Sequence, residues 1–483
     1  MRGSRETFGF GVVLTGSTMQ NLTEADPDSA ADIRAVSHSG HALRLLRGDE
    51  SIDLHGARNL AIARSSLLEV LARHARAAGV ELSTGQEADA VAADSDVVIV
   101  ADGVRSATRE KLATELGAEV SVGRGWYLWC GADFALQDSI FSPARTEHGL
   151  FVAHAYPYAP DRSTFLIETD DATREAAGMN ASDQATAPGE SDEYSLRYLQ
   201  QAFGAELAGH RLLGNRSRWL RFHTVHLRQW SHGNIVLIGD AAHTAHYTLG
   251  SGTKLAMEDA IALSRALLAE PDVPTAFAMY EHSRRPSVER FQRLAARSQR
   301  WWESFPLRAE SPMSTLALGF LTRAGNISVT RLAEHSEQPL LDALAEYHGA
   351  PLDNLPADPV SWVLGQPTTI GERRLATRVV AGPGELGDVT TVGWSDVDPW
   401  SDASDALVAR LRGSQRLTVW LRGPGDLDAA QGRVDLAERL KLELDATTVV
   451  QLPAEARAEA AAALVCGRCD LVELTDSDGT RAR

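Results

Sequence analysis

A chain of 483 residues, 44% hydrophobic and 23% charged, is long enough for two or three domains and a large buried core. Its net charge of −18 argues against nucleic acid or an anionic membrane surface as a partner. Three cysteines (Cys130, Cys466, Cys469) are too few for a disulfide scaffold and point to a reducing, cytoplasmic setting, and no apolar run is long enough to span a bilayer.

In chain order, residues 64–82 form the clearest helix. Leu67, Leu68, Leu71 and Ala75 share a face, Ser65 is a candidate cap and Gly79 a stop. The run Asp96–Ala101 reads as a buried strand ending in Asp102-Gly103. From 122 to 230 the texture changes to alternating strands rich in aromatic residues, at 126–134, 150–159 and 163–169. His154, Tyr156 and Tyr158 fall on these strands as pocket candidates, although an aromatic stripe on a strand is more often core. Residues 171–195 are acidic, small and polar, and predict a mobile surface insert.

Residues 215–228 cluster Arg216, Arg218, Arg221 and Arg228 in an otherwise acidic protein. They suit either phosphate binding or a solvated strand face. The stretch Gly233–Leu268 then carries the strongest local pattern. A short apolar run, Ile235–Ile238, ends at Gly239-Asp240; a loop with Gly250 and Gly252 follows, and a helix begins near Thr253 with Ala256, Ala260, Leu263 and Leu267 on one face. Strand, aspartate, glycine loop and helix start suit an anionic or electron-rich ligand, because the free N–H groups and positive dipole end of the helix point into the loop. His232, His243 and His246 lack metal-ligand spacing, so no metal site is expected.

A long helical region at 275–305 is interrupted near Pro286, and more helix with proline-marked turns follows to 360. From 366 the chain alternates strands (374–383, 416–421, 447–452, 469–474) with helices (428–443, 454–465), which predicts a parallel sheet. The single Cys466-Gly-Arg-Cys469 has no second pair to suggest zinc or disulfide exchange.

These motifs carry a resemblance. Asp102-Gly103 followed by Gly239-Asp240, with AHTAHYTLGSGTKLAMEDA, HGLFVAHAYPY and STFLIE, resembles the FAD-dependent aromatic hydroxylases related to p-hydroxybenzoate hydroxylase. Within that family the match is to the branch acting on aryl-CoA thioesters of the salicylyl-CoA and anthraniloyl-CoA type. The family's usual loop proline is absent, with His246-Tyr247-Thr248 in its place, and Lys254 replaces its usual asparagine.

The resemblance implies that FAD is held by Arg64, Asp102, Gly103, Gly239, Asp240, Gly250, Ser251, Gly252 and Thr253. It implies that NADH or NADPH is the reductant and O2 the oxidant, that the substrate is a small aryl-CoA, and that His154, Tyr156 and Tyr247 are the catalytic candidates. Tyr158, Arg216 and Arg218 are the substrate-binding candidates. No oligomeric state follows.

The implied fold class is α/β (α+β). A Rossmann-like FAD domain (1–121 and 231–300) would combine with a β-sheet substrate domain (122–230), a helical closure (301–360) and a small α/β segment (366–483). The family's opening strand–GxGxxG–helix unit, roughly 35–45 residues, is not found ahead of 8–14, so the Rossmann-like domain is expected to be incomplete. The final segment resembles the last units of the old yellow enzyme barrel. A complete barrel takes around 250 residues, so this one is expected to be shortened and to bind no FMN. Two alternatives stand beside the hydroxylase: a non-catalytic relative acting as a binding partner, and an FAD-linked reductase on the same fold.

Overall fold

The computed structural model describes residues 10–54, 60–250, 252–413 and 417–476. The chain divides into two compact units, one built mainly from residues up to Glu303 and the other from Ser304 onward, which also takes in residues 52–54. The mixture of helices with parallel and antiparallel strands is that of an α/β protein.

The first unit is organised on a large mixed sheet whose longest strand is Ala118–Ala132. Trp219–Leu227 and Leu212–Leu213 pair antiparallel with it on one side and Arg162–Thr169 on the other. The sheet continues through Gly149–Ala159 and Ser139–Thr146 to Leu43–Arg47, which runs parallel to its neighbour.

Period-2 alternation divides the two faces. Leu128, Cys130, Ala132, Phe151, Ala153, Ala155, Phe165 and Ile167 form one apolar core with helical residues Ala177, Met179, Leu196 and Leu199. The residues between them, Tyr127, Trp129, His154, Tyr156, Glu168 and their neighbours, point the other way. Burying each large apolar side chain in that core contributes about 1.5–3 kcal/mol before entropy is counted.

Helices Asp171–Ala176, Met179–Ala185 and Glu193–Ala202 supply that covering layer, so residues 171–195 are ordered rather than a mobile insert. Their acidity goes into helix starts: Asp170 accepts from the Thr173 N–H (2.7 Å) and Asp192 from the Ser195 N–H (3.1 Å). A composition-based reading misses this, because a buried Met179 and Ala177 suffice to anchor an otherwise polar segment.

A three-stranded sheet, Ser231–His232, Ile235–Leu237 and Val98–Val100, holds the two expected motif strands side by side and parallel. Helix Gly252–Ala269 follows, and helix Val273–Glu303 continues through Pro286 without a break. Tyr280, Val288, Ala295, Trp301 and Trp302 are buried along it; packing on both sides of Pro286 outweighs the one missing hydrogen bond.

The Arg64–Ala77 helix starts one residue ahead of Ser65, and its start has no side-chain cap bond. Gly79 does end it, with φ of 86° and its N–H donating to Arg76 O (3.0 Å). Its buried stripe is Leu67 and Val70, while Leu68 is 40% exposed because it lies on the flank of that narrow stripe.

In the second unit, strands Thr390–Gly393, Thr418–Arg422, Thr447–Pro453 and Leu471–Thr475 form a parallel sheet in sequence order. The helices Asp402–Leu411, Leu427–Leu444 and Arg457–Val465 connect them. Residues 373–375 belong instead to a hairpin with Thr368–Ile370. Burial pushes the Cys469 thiol far above its ordinary range, as expected of a structural rather than a reactive cysteine.

Candidate active site

The strand Ile235–Leu237 delivers the chain into the tight turn at Gly239, whose φ of 57° suits glycine. A side chain there would also meet Ala256 Cβ at 3.0 Å, so the turn packs hard against helix Gly252–Ala269. A buried charged cluster fixes the turn. Gly239 N–H donates to Asp259 Oδ2 (2.9 Å), His243 Nε2 lies 2.7 Å from the same oxygen, and Arg284 Nε donates to Asp259 Oδ1 (2.9 Å). Arg284 also pairs with Glu258 (3.1 Å), which Lys254 and Asn21 contact in turn.

Asp259 is fully buried; burial pushes its carboxyl up, and the His243 hydrogen bond and charge, the Gly239 N–H and Arg284 bring it below its ordinary value. The sequence carries no signal for Glu258 or Asp259: the buried stripe of this helix, Leu255, Glu258, Asp259, Leu263 and Ala266, is rotated away from the expected Ala256–Ala260–Leu263–Leu267 face, and Ala260 is exposed.

Asp102-Gly103 lies beside this turn. Gly103 has φ of 84°, Asp102 Oδ2 receives the Thr108 N–H at 3.4 Å, and Arg109 donates to Ala241 O (3.0 Å) and to Val104 O, tying the two motif turns together. Asp240 differs from its buried neighbours. Its residue surface is exposed, yet protein surrounds it closely enough that burial raises its carboxyl pKa, against the lowering charges of His243 and Arg64. Among the described residues no hydrogen bond to it is seen.

Arg64 also stands over Trp129, 5.6 Å from the ring centroid. Tyr127 faces the same region: burial pushes its phenol up to about 12, with Arg105 and Asp240 as its charged neighbours.

The second sheet face closes on the loop before Gly250. Tyr247 packs against Tyr127 (4.9 Å between centroids), Trp129 (6.4 Å), Phe222 (5.9 Å) and His246 (4.0 Å), and its hydroxyl donates to Glu168 Oε1 at 2.5 Å. His154 Nε2 lies 3.3 Å from Glu168 Oε2, and its ring meets Phe141 and Trp302 edge-on. The only signal for Glu168 in the sequence is the alternation of 163–169, which puts an acid on the face opposite Phe165 and Ile167.

Tyr156 donates to Gly11 O (2.8 Å) and Tyr158 packs on Gly11, so both fasten the first strand to the sheet. Arg218 is turned to Asp183 in the helical layer that covers the opposite face, and Arg216 stands in a turn with φ of 55°; neither is brought to Tyr247. Gly250 has φ of 62°, Gly252 and Thr253 open the helix, and Ser251 lies outside the described residues.

Comparison with known proteins decides the family. Residues 94–295 match an FAD binding domain family. The 3-hydroxy-4-methyl-anthranilyl-(aryl-carrier protein) 5-monooxygenase of Streptosporangium sibiricum is 41% identical over 331 residues, covering 68% of this chain and 87% of that protein. The chain belongs to the FAD-dependent aromatic monooxygenases.

Another monooxygenase-family relative, salicyloyl-CoA 5-hydroxylase of a Streptomyces species, is 40% identical over 66% of this chain, which spans 63% of that protein's length. A solved structure of a 2-methyl-3-hydroxypyridine-5-carboxylic acid oxygenase variant aligns over 66% of the chain and 86% of its own, with a TM-score of 0.50 and 21% identity, and shares the fold.

Residues of this monooxygenase fit FAD on the structure's own terms. Asp240 offers an unengaged carboxylate to hydroxyl donors, and the buried indole nitrogen of Trp129, beneath Arg64, has no hydrogen-bond partner among the described residues. The flavin supplies the redox chemistry and activates oxygen when bound. Among the described residues no group of three or more His, Cys, Asp or Glu could hold a metal, and no helix is long and apolar enough to cross a membrane.

Proposed function

We propose that this monooxygenase hydroxylates the ring of an aryl thioester, coenzyme A- or carrier-bound, with NADH or NADPH as reductant. The observation that carries the reading is the convergence of the aromatic sheet face (Tyr127, Trp129, His154) with Tyr247 on the Asp240 loop. An aryl ring laid there is flanked by edge- and face-on aromatic contacts and shielded from water. The two relatives named for carrier- and coenzyme A-linked substrates favour a thioester over a free acid.

In this reading Arg64, Asp102, Gly103, Gly239, Asp240, Gly250, Ser251, Gly252 and Thr253 hold the flavin. The helix dipole at Gly252 favours negative charge in front of the loop. Tyr247 and His154 orient the ring, and the phenol of Tyr247 stays protonated, because burial and the adjacent Glu168 raise its pKa.

The test is oxygen uptake by the FAD-loaded protein with NADH or NADPH and salicyloyl-CoA (2-hydroxybenzoyl-CoA). The expected result is substrate-dependent oxygen consumption with a hydroxylated thioester as product. Reductant oxidation that yields only hydrogen peroxide, with the thioester unchanged, would contradict it and favour a reductase.

A further inference from the structure

We infer that Glu168 is a positioning residue that fixes Tyr247 as a hydrogen-bond acceptor toward the substrate ring, so that the site selects rings bearing an O–H or N–H donor over their O-methyl isosteres. The inference rests on the aryl-substrate reading above and adds the group that discriminates among aryl rings.

Glu168 projects from Arg162–Thr169 on the sheet face opposite the Phe165–Ile167 core, with its side chain 12% exposed. Its two oxygens are engaged differently. Oε1 receives the Tyr247 hydroxyl at 2.5 Å, and Oε2 stands 3.3 Å from His154 Nε2. Burial pushes this carboxyl up, but the charge and hydrogen bond of His154, the charge of His246 and the Tyr247 hydroxyl outweigh it, so Glu168 is ionised at neutral pH. An ionised carboxylate only accepts, so the shared proton belongs to Tyr247.

A phenol has a single O–H to give. With that proton committed to Glu168, the Tyr247 oxygen has only lone pairs left to offer. The ring carrying it is half-buried among Tyr127, Trp129, Phe222 and His246, three residues before Gly250 in the flavin loop. A ring hydroxyl or amino group meeting that oxygen finds an acceptor, whereas a methoxy oxygen finds no donor and leaves two acceptors facing each other. A neutral tyrosine without Glu168 could turn its O–H outward and serve either partner, and the carboxylate removes that choice.

The test is equilibrium binding to the FAD-loaded protein of two ligand pairs: 2-hydroxybenzoyl-CoA against 2-methoxybenzoyl-CoA, and phenol against anisole. Wild type is expected to favour the hydroxyl member of each pair about tenfold, the scale of one net hydrogen bond. E168Q, whose amide can donate to Tyr247 and release its O–H, should reduce both ratios below about threefold by improving the methoxy member, and Y247F should remove the preference by weakening the hydroxyl member. A role for Glu168 as a mere tether of the 247 loop would change the affinity for both members alike and leave the ratios intact, which would overturn the inference. Should E168Q fail to fold, Y247F decides: a retained preference overturns the inference. The pairs also separate the two readings. A phenol preference with no thioester binding sinks the thioester substrate and keeps Glu168; thioesters bound without regard to the hydroxyl keep the substrate and sink Glu168.

Discussion

The two faces of the large sheet are made by the same strands, one residue out of step, and they are built for opposite ends. On one face Leu128, Phe151, Phe165 and Ile167 interlock with helices and leave no polar atom to satisfy. On the other, Trp129, His154, Tyr247 and Glu168 combine rings with unspent or tightly held polar atoms, including a buried Trp129 nitrogen without a hydrogen-bond partner among the described residues. Contacts within the chain, mostly apolar with a few hydrogen bonds such as Trp219 Nε1 to Ser195 Oγ, complete the first face. In the proposed reading, the second is completed by a ligand that brings both a flat surface and hydrogen-bonding groups.

The comparison breaks if substitutions on the two faces behave alike. Phe165→Ala, on the helix-covered face, is expected to cost about 3–5 kcal/mol through a cavity that the surrounding core cannot fill. Urea unfolding of the ligand-free protein measures it. Asp259→Ala, beneath the Gly239 turn, should cost a similar amount, about 3–5 kcal/mol, because it leaves His243 and Arg284 as buried groups without their carboxylate.

Asp259 also sets a pH dependence. Its folded pKa is below its unfolded one, so its contribution is complete above the ordinary aspartate range, near pH 4, and fades as pH falls through the folded value. The unfolding midpoint should therefore drop more steeply on acidification in wild type than in Asp259→Asn. Parallel profiles would contradict the role given to this carboxylate.

On the ligand face the expected stability effects are smaller. Tyr127→Phe should change unfolding by less than about 1 kcal/mol, because no hydrogen bond to its hydroxyl is seen among the described residues.

How much of this was legible in the sequence depended on the kind of signal. Strands 150–159 and 163–169 and the Gly239-Asp240 turn were readable because alternation and glycine positions are local properties. Glu168 and Asp259 were not, because an acid becomes informative only when a partner distant in sequence, Tyr247 or Arg284, arrives beside it. The arginines at 216 and 218 show the reverse. Their clustering suggested a phosphate site, but Asp183, in a segment read as mobile, takes up Arg218 on the other side of the sheet. Charge density in a sequence cannot report which face of a strand the charge will occupy.

Asp240 gives the most direct test of the second face as the flavin-binding one. Its carboxylate takes no hydrogen bond among the described residues and is held at a raised pKa by the protein packed around it. The measurement is fluorescence titration of FAD into ligand-free wild type and Asp240→Ala, with urea unfolding of both run alongside. Loss of one hydrogen-bonded charged group predicts an affinity about tenfold to a hundredfold weaker, with unfolding unchanged. Equal FAD affinity in the two proteins would contradict the account.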